Sequence, residues 1–243
     1  MHITGKMKMA DMIQKDIQLL AVIQRLNIPL GFHEKTVREV CEENSVDLDF
    51  FLQLANASHD KDYFPQEHLL NFPVEWFINY LQSAHKCYLE HRIPEIENQI
   101  MSMEEQYAAQ DRNMKILLNF FKEYIREFIA HIELEEQDVF PYILDINKQL
   151  INPPETKQPT HYTIDKYIED HSNIEEKLYD LKNILLKYLP PPVISCTYNH
   201  LLFDIFRLEN DLKDHSDLEE KVLIPKVRSM EEELRSRNSH KAC

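Results

Sequence analysis

Four stretches of this chain carry apolar residues at alternating spacings of three and four, the mark of a helix with one buried face. The first runs Phe77, Leu81, His85, Tyr88. The second runs Leu117, Phe121, Tyr124, Phe128, His131, Glu135. The third is Ile164, Tyr167, His171, Glu175, Leu178, Leu181, Leu185, and the fourth Leu201, Ile205, Leu208, Leu212, His215, Glu219, Val222. The pattern predicts four long helices, over about 73–105, 110–147, 162–188 and 195–235. Pro94 predicts a kink in the first and Pro141 a disturbance in the second. INPPETKQPT and the PPP at 190–192 mark loops. Short connections imply an up-down-up-down four-helix bundle over residues 73–235. Ahead of it, MADMIQKDIQLLAVIQRLNI reads as an amphipathic helix ended by Pro29 and Gly31. Thr36 with Glu39 forms a capping box for TVREVCEEN, and Asp47 caps DLDFFLQLANA. These predict a small three-helix N-terminal domain over residues 1–60, with 58–72 as a linker.

Composition narrows the class. Gly5 and Gly31 are the two glycines of 243 residues, too few for the turns of a β-rich protein, so the fold class is all-α. Net charge is −15, which argues against a nucleic-acid or anionic-membrane surface. Residues 1–60 hold six Lys/Arg against nine Asp/Glu, which does not suit a helix-turn-helix reader of phosphate. No apolar run approaches the roughly 20 residues of a spanning helix, and no signal-peptide pattern opens the chain. Cys41, Cys87, Cys196 and Cys243 are scattered without a CxxC pair, which fits a reduced, cytoplasmic chain.

The seams also carry chemistry. Each points a histidine inward, and the second and fourth share a repeat: HIELEEQDVFP at 131–141 and HSDLEEKVLIP at 215–225. Burying imidazoles and carboxylates without a counter-charge costs roughly several kcal/mol or more. A metal centre supplies that counter-charge. Depth agrees: in an antiparallel bundle His85, His171, Glu135 and Glu219 reach levels within about 10 Å of one another. The ligand set is His85, His131, Glu135, His171, His215 and Glu219. Two carboxylates from different helices can each bridge a metal pair, which suggests two iron ions, with manganese or a mixed pair as alternatives. The order His-x-x-x-Glu departs from the Glu-x-x-His of ferritin-like sites.

Around this set, Glu175 stands as an extra ligand or as an acid at the solvent edge. Glu127 and Asp211 precede His131 and His215 by four residues and either orient an imidazole or face solvent. Glu136 and Glu220 fall off the seam and are read as solvated. Tyr88, Tyr124 and Tyr167 are read as core packing, and Cys87 likewise. His91, His161 and His200 are read as surface residues.

SAHKCYLEHRIPEI, AHIELEEQDVFP, EDHSNIEEKL and DHSDLEEKVLIP together resemble the hemerythrin-like proteins, over roughly residues 73–230. Within them the chain looks most similar to the repair-of-iron-centres family, whose short N-terminal domain LNIPLGFHEKTVREVCEENSVDLDFFLQL resembles. The resemblance implies a di-iron protein that protects or repairs iron–sulfur centres under nitrosative or oxidative stress, acting with O2 or NO and with iron–sulfur proteins. It implies that His85 and His131 mainly serve one iron, His171 and His215 the other, with Glu135 and Glu219 bridging. The oxygen carriers of the superfamily have a further histidine where this chain has Glu175, which argues against a dedicated O2 carrier. The repair family's short domain carries adjacent cysteines where this chain reads LNIPLGFHEK, so a mechanism that uses a cysteine pair has no residues for it here. A sensor that signals to a partner through the N-terminal domain is the alternative, and an inert helical interaction protein the third reading.

Overall fold

The computed structural model describes residues 2–105, 112–152, 163–170, 174–188 and 196–240. Nearly all of them are helical, and no strand occurs among them. They form two compact units, Met1–Ala84 with Leu218–Met230, and His85–Asp217 with Glu231–Cys243.

The first unit opens with α1 (Met9–Lys15), α2 (Leu19–Arg25), α3 (Val37–Glu43) and α4 (Leu48–His59). Where the pattern predicts one long first helix, there are two. Asp16 ends α1 in an extended conformation, φ −147° and ψ 104°. Its carboxylate accepts from the Gln18 N–H at 2.9 Å and from His59 Nδ1 at 2.7 Å. A short acidic side chain that bonds its neighbouring backbone competes with helix propagation. Both anticipated caps are present. Thr36 and Glu39 exchange a capping box in front of α3, and Asp47 accepts from the Phe50 N–H at 2.8 Å in front of α4. The predicted linker is also structured. It contains α5 (Gln66–Leu69), with Leu69 fully buried, and Phe72 and Trp76 pack with Phe50 in an aromatic cluster.

The four long patterns appear as helical runs close to their predicted bounds: α6 (Val74–Cys87) into α7 (Ile93–Glu104), α8 (Arg112–Leu134) into α9 (Phe140–Ile151), α10 (Ile164–Asp170) and α11 (Ile174–Tyr188), and α12 (Cys196–Leu218) into α13 (Ile224–His240). Pro94, Pro141 and Pro225 do not stop these runs. Each sits second in its helix, behind a π turn: Tyr88–Arg92, Glu135–Val139 and Glu219–Leu223. In each, the residue before the proline donates to the carbonyl five positions back, so Ile93 reaches Tyr88, Phe140 reaches Glu135 and Ile224 reaches Glu219. A proline ring clashes with the carbonyl four residues earlier and lacks an N–H. One wider turn relieves the clash and lets the helix continue.

In the second unit the apolar seam residues Leu117, Phe121, Tyr124, Phe128, Leu178, Leu181, Leu185, Leu201, Ile205 and Leu208 are all buried. Glu231 is buried there too, accepting from the Ile164 N–H at 2.8 Å and from the Tyr142 hydroxyl at 2.6 Å. It thereby serves one of the N–H groups that a helix start leaves without an internal partner. Among the described residues, no helix is long and apolar enough to cross a membrane.

Candidate metal centre

The apolar seams deliver polar groups at the π turns. His85 lies one turn before the first of them, Glu135 opens the second, and Glu219 opens the third. His85, Glu135 and His215 are all buried, and each offers a ligand atom within 4.8 Å of the others. The Nε2 atoms of His85 and His215 face each other at 3.1 Å. Glu135 Oε2 stands 3.2 Å from His85 Nε2 and accepts no hydrogen bond among the described residues. Glu219 follows His215 by one turn on the same unbroken run and is 1% exposed.

The two oxygens of Glu135 face different histidines. Oε2 faces His85, while Oε1 lies 3.4 Å from His131 Nε2 and accepts from the Tyr167 hydroxyl at 2.5 Å. His131 thus meets the oxygen of Glu135 that His85 does not. The structure brings His85 and His215 together and gives His85 and His131 one oxygen each of Glu135. His171 lies outside the described residues, as does the side chain of Glu175.

Two residues at the site escaped the sequence reading. Glu136, read as solvated, accepts from His85 Nδ1 at 2.7 Å with its own side chain 30% exposed. A carboxylate only accepts, so that bond places a proton on Nδ1 and leaves the lone pair on Nε2, the usual arrangement of a metal-ligating histidine. Tyr167, read as packing, holds Glu135. Its signal was its place on the third seam, one turn before His171. Glu127, considered as an orienting group, instead pairs with Lys177. The walls are aromatic: Phe140 stacks on His85 with ring centroids 5.6 Å apart, and Tyr88 meets His215 edge-on at 5.8 Å.

The donor set fits a cation of borderline hardness. Imidazole nitrogens and carboxylate oxygens converge in a dry, aromatic-lined place, and a fully buried carboxylate oxygen there is left without a hydrogen-bond donor. Neutral imidazole with carboxylate suits iron, manganese or zinc. Fold and site together define an all-helical cation-binding protein whose ligands project inward from long helices. The chain belongs to the hemerythrin HHE cation binding domain family, whose model matches residues 87–233. It is also similar to proteins named iron-sulfur cluster repair protein YtfE from Salmonella newport (strain SL254), Salmonella agona (strain SL483) and Salmonella heidelberg (strain SL476). Each is 22% identical over 199 residues, covering 80% of this chain and 83% of the relative.

Proposed function

We propose that this chain is a non-haem di-iron protein of iron–sulfur cluster repair or of the response to nitrosative and oxidative stress. The carrying observation is Glu135, whose oxygens address separate histidines at 3.2 and 3.4 Å, as a carboxylate bridging two ions would. His85, His215 and Glu219 would hold one ion and His131 the other, with His171 as its further ligand. When bound, such a pair supplies one-electron redox chemistry and an open position for O2 or NO. The chain's own groups set the terms. Glu136 keeps the His85 proton on Nδ1, Tyr167 donates to Glu135 Oε1, and Phe140 and Tyr88 keep water away. The names of the relatives support iron–sulfur proteins as partners. The free thiols Cys41, Cys87 and Cys196 support a reducing, cytoplasmic setting,.

The sensor reading has one observation in its favour. Cys41 is buried, and burial pushes its thiol up to about 12. Residues 1–60 hold no other cysteine, so the proposed N-terminal domain has no exposed thiol with which to pass iron, which favours a signalling role for it. Metal analysis of the anaerobically purified full chain, with optical spectra before and after NO, tests the di-iron reading. The expected result is about two iron ions per chain and an NO-dependent spectral change. Fewer than about one transition-metal ion per chain would sink it.

A further inference from the structure

The π turn Glu135–Val139 and the Phe140 that closes it meet His85 at three places, all within the second unit. Glu135 Oε2 stands 3.2 Å from Nε2. Glu136 Oε1 accepts from Nδ1 at 2.7 Å. The Phe140 ring lies nearly parallel to the imidazole, with 8° between the planes and 5.6 Å between the centres. One short stretch of helix thus reaches both nitrogens and one flank of the ring. A regular α-helix would spread these three residues apart. Measured from Glu135, Glu136 would lie about 100° and Phe140 about 140° round the axis. The wider turn shortens those angles, and the Phe140 N–H sets its register by donating to the Glu135 carbonyl five residues back,. The ring is not needed to close such a turn. Behind the other two π turns the same place holds Ile93 and Ile224. Both turns close ahead of a proline without an aromatic residue, so the ring at 140 answers to something other than the turn.

We propose that Phe140 is a positioning residue for His85, fixing the plane of the imidazole while Glu135 and Glu136 address its two nitrogens, so that Nε2 is aimed before a cation arrives. The proposal rests on the reading of His85 as a metal ligand. Near-parallel, offset rings are a favoured aromatic arrangement, and here both partners are buried, Phe140 at 1% and His85 at 3% exposure. A side chain that must be ordered at the moment of binding weakens the binding, and a ring already held avoids that loss. The two acids fix where the nitrogens point, and the stack fixes the tilt of the ring between them.

The test uses the full chain in three forms: wild type, Phe140→Leu and Phe121→Leu. Phe121 is the control, a buried ring that stacks on Tyr124 and touches no proposed ligand. In the metal-free chain, carbon relaxation is expected to give the His85 ring an order parameter of about 0.85 in wild type and in Phe121→Leu. In Phe140→Leu it is expected to fall below about 0.6. Zinc alone, titrated against a calibrated chelator, is expected to bind Phe140→Leu about tenfold or more weakly than wild type, and Phe121→Leu as tightly as wild type. Should Phe140→Leu lose its helical circular dichroism, Phe140→Met, which is unbranched and adapts to its surroundings, takes its place with the same expectations. An equally ordered His85 ring in wild type and the Phe140 variant overturns the proposal. So does an equal loss of order or of zinc affinity in Phe121→Leu, and so does a mobile ring with unaltered zinc affinity. If the wild type binds neither zinc nor iron, the di-iron reading fails by itself, and the order parameters of the metal-free chain still decide whether Phe140 holds the ring.

Discussion

A histidine ligates a cation only through an unprotonated nitrogen, so the group on its other nitrogen decides its role. For His85 that group is Glu136, at 2.7 Å from Nδ1. Glu136→Ala is expected to weaken metal binding by about 10- to 100-fold, read by competition with a calibrated chelator, while leaving helix content unchanged. Metal binding as tight as wild type would show that Glu136 does not orient the ring. Tyr167 acts on Glu135, a proposed ligand. Tyr167→Phe keeps the ring but takes a donor from a fully buried carboxylate, and is expected to cost the metal-free chain about 1–3 kcal/mol of unfolding free energy in urea,. The two residues differed in how far the sequence could expose them. Tyr167 lies on its seam, so its inward direction was readable, but a tyrosine counts as apolar in a periodicity and its hydroxyl was invisible. Glu136 follows Glu135 by one residue, about 100° round an α-helix, and so falls off the seam. The wider π turn that begins at Glu135 reduces that angle, and no periodicity argument contains that correction,.

At the scale of elements, helices and caps were readable because their causes are local. Seam spacing marks the long helices, and Thr36 with Glu39 and Asp47 mark two starts. The division between α1 and α2 was not readable, because Asp16 is held partly by His59, far along the chain. The prolines were visible, and a kink at Pro94 and a disturbance at Pro141 were expected from them. What the sequence did not show is the form of the disturbance: three of the four runs absorb a proline behind a π turn, and two of those π turns open on a proposed ligand. That recurrence gives the device a job: it sets the direction in which Glu135 and Glu219 leave their helices. Pro141→Ala restores the N–H and removes the clash, so the turn can relax towards a regular α-helix. The expected outcome is unchanged helical circular dichroism with lower iron occupancy, since Glu135 turns away from His85. Full occupancy with an unaltered iron spectrum would mean that the π turn is incidental to the site.

At the scale of the whole chain, the all-helical class was legible from two glycines and four seams, because those features exclude alternatives without any knowledge of packing. The folded segment at 58–72 was not, since its anchors are the backbone carbonyl and the amine of Lys221, far along the chain. The lone Cys41 shows what burial adds to a composition argument. The sequence showed that it has no partner cysteine nearby. Its burial, with the charges of Asp47 and Glu42 adding, raises its pKa from 9.0 to about 12. An acid whose folded pKa exceeds its unfolded value favours folding below the unfolded pKa. That contribution is lost as pH rises through the interval, here from 9.0 towards about 12,. Wild type is therefore expected to lose stability relative to Cys41→Ala between about pH 8 and about pH 10 in denaturant titrations, with the difference flat below about pH 8. In the same native chain at about pH 8, iodoacetamide is expected to label the exposed Cys196 and spare Cys41,. Rapid labelling of Cys41 together with a flat pH profile would place its thiol in water and make thiol chemistry available to the N-terminal helices.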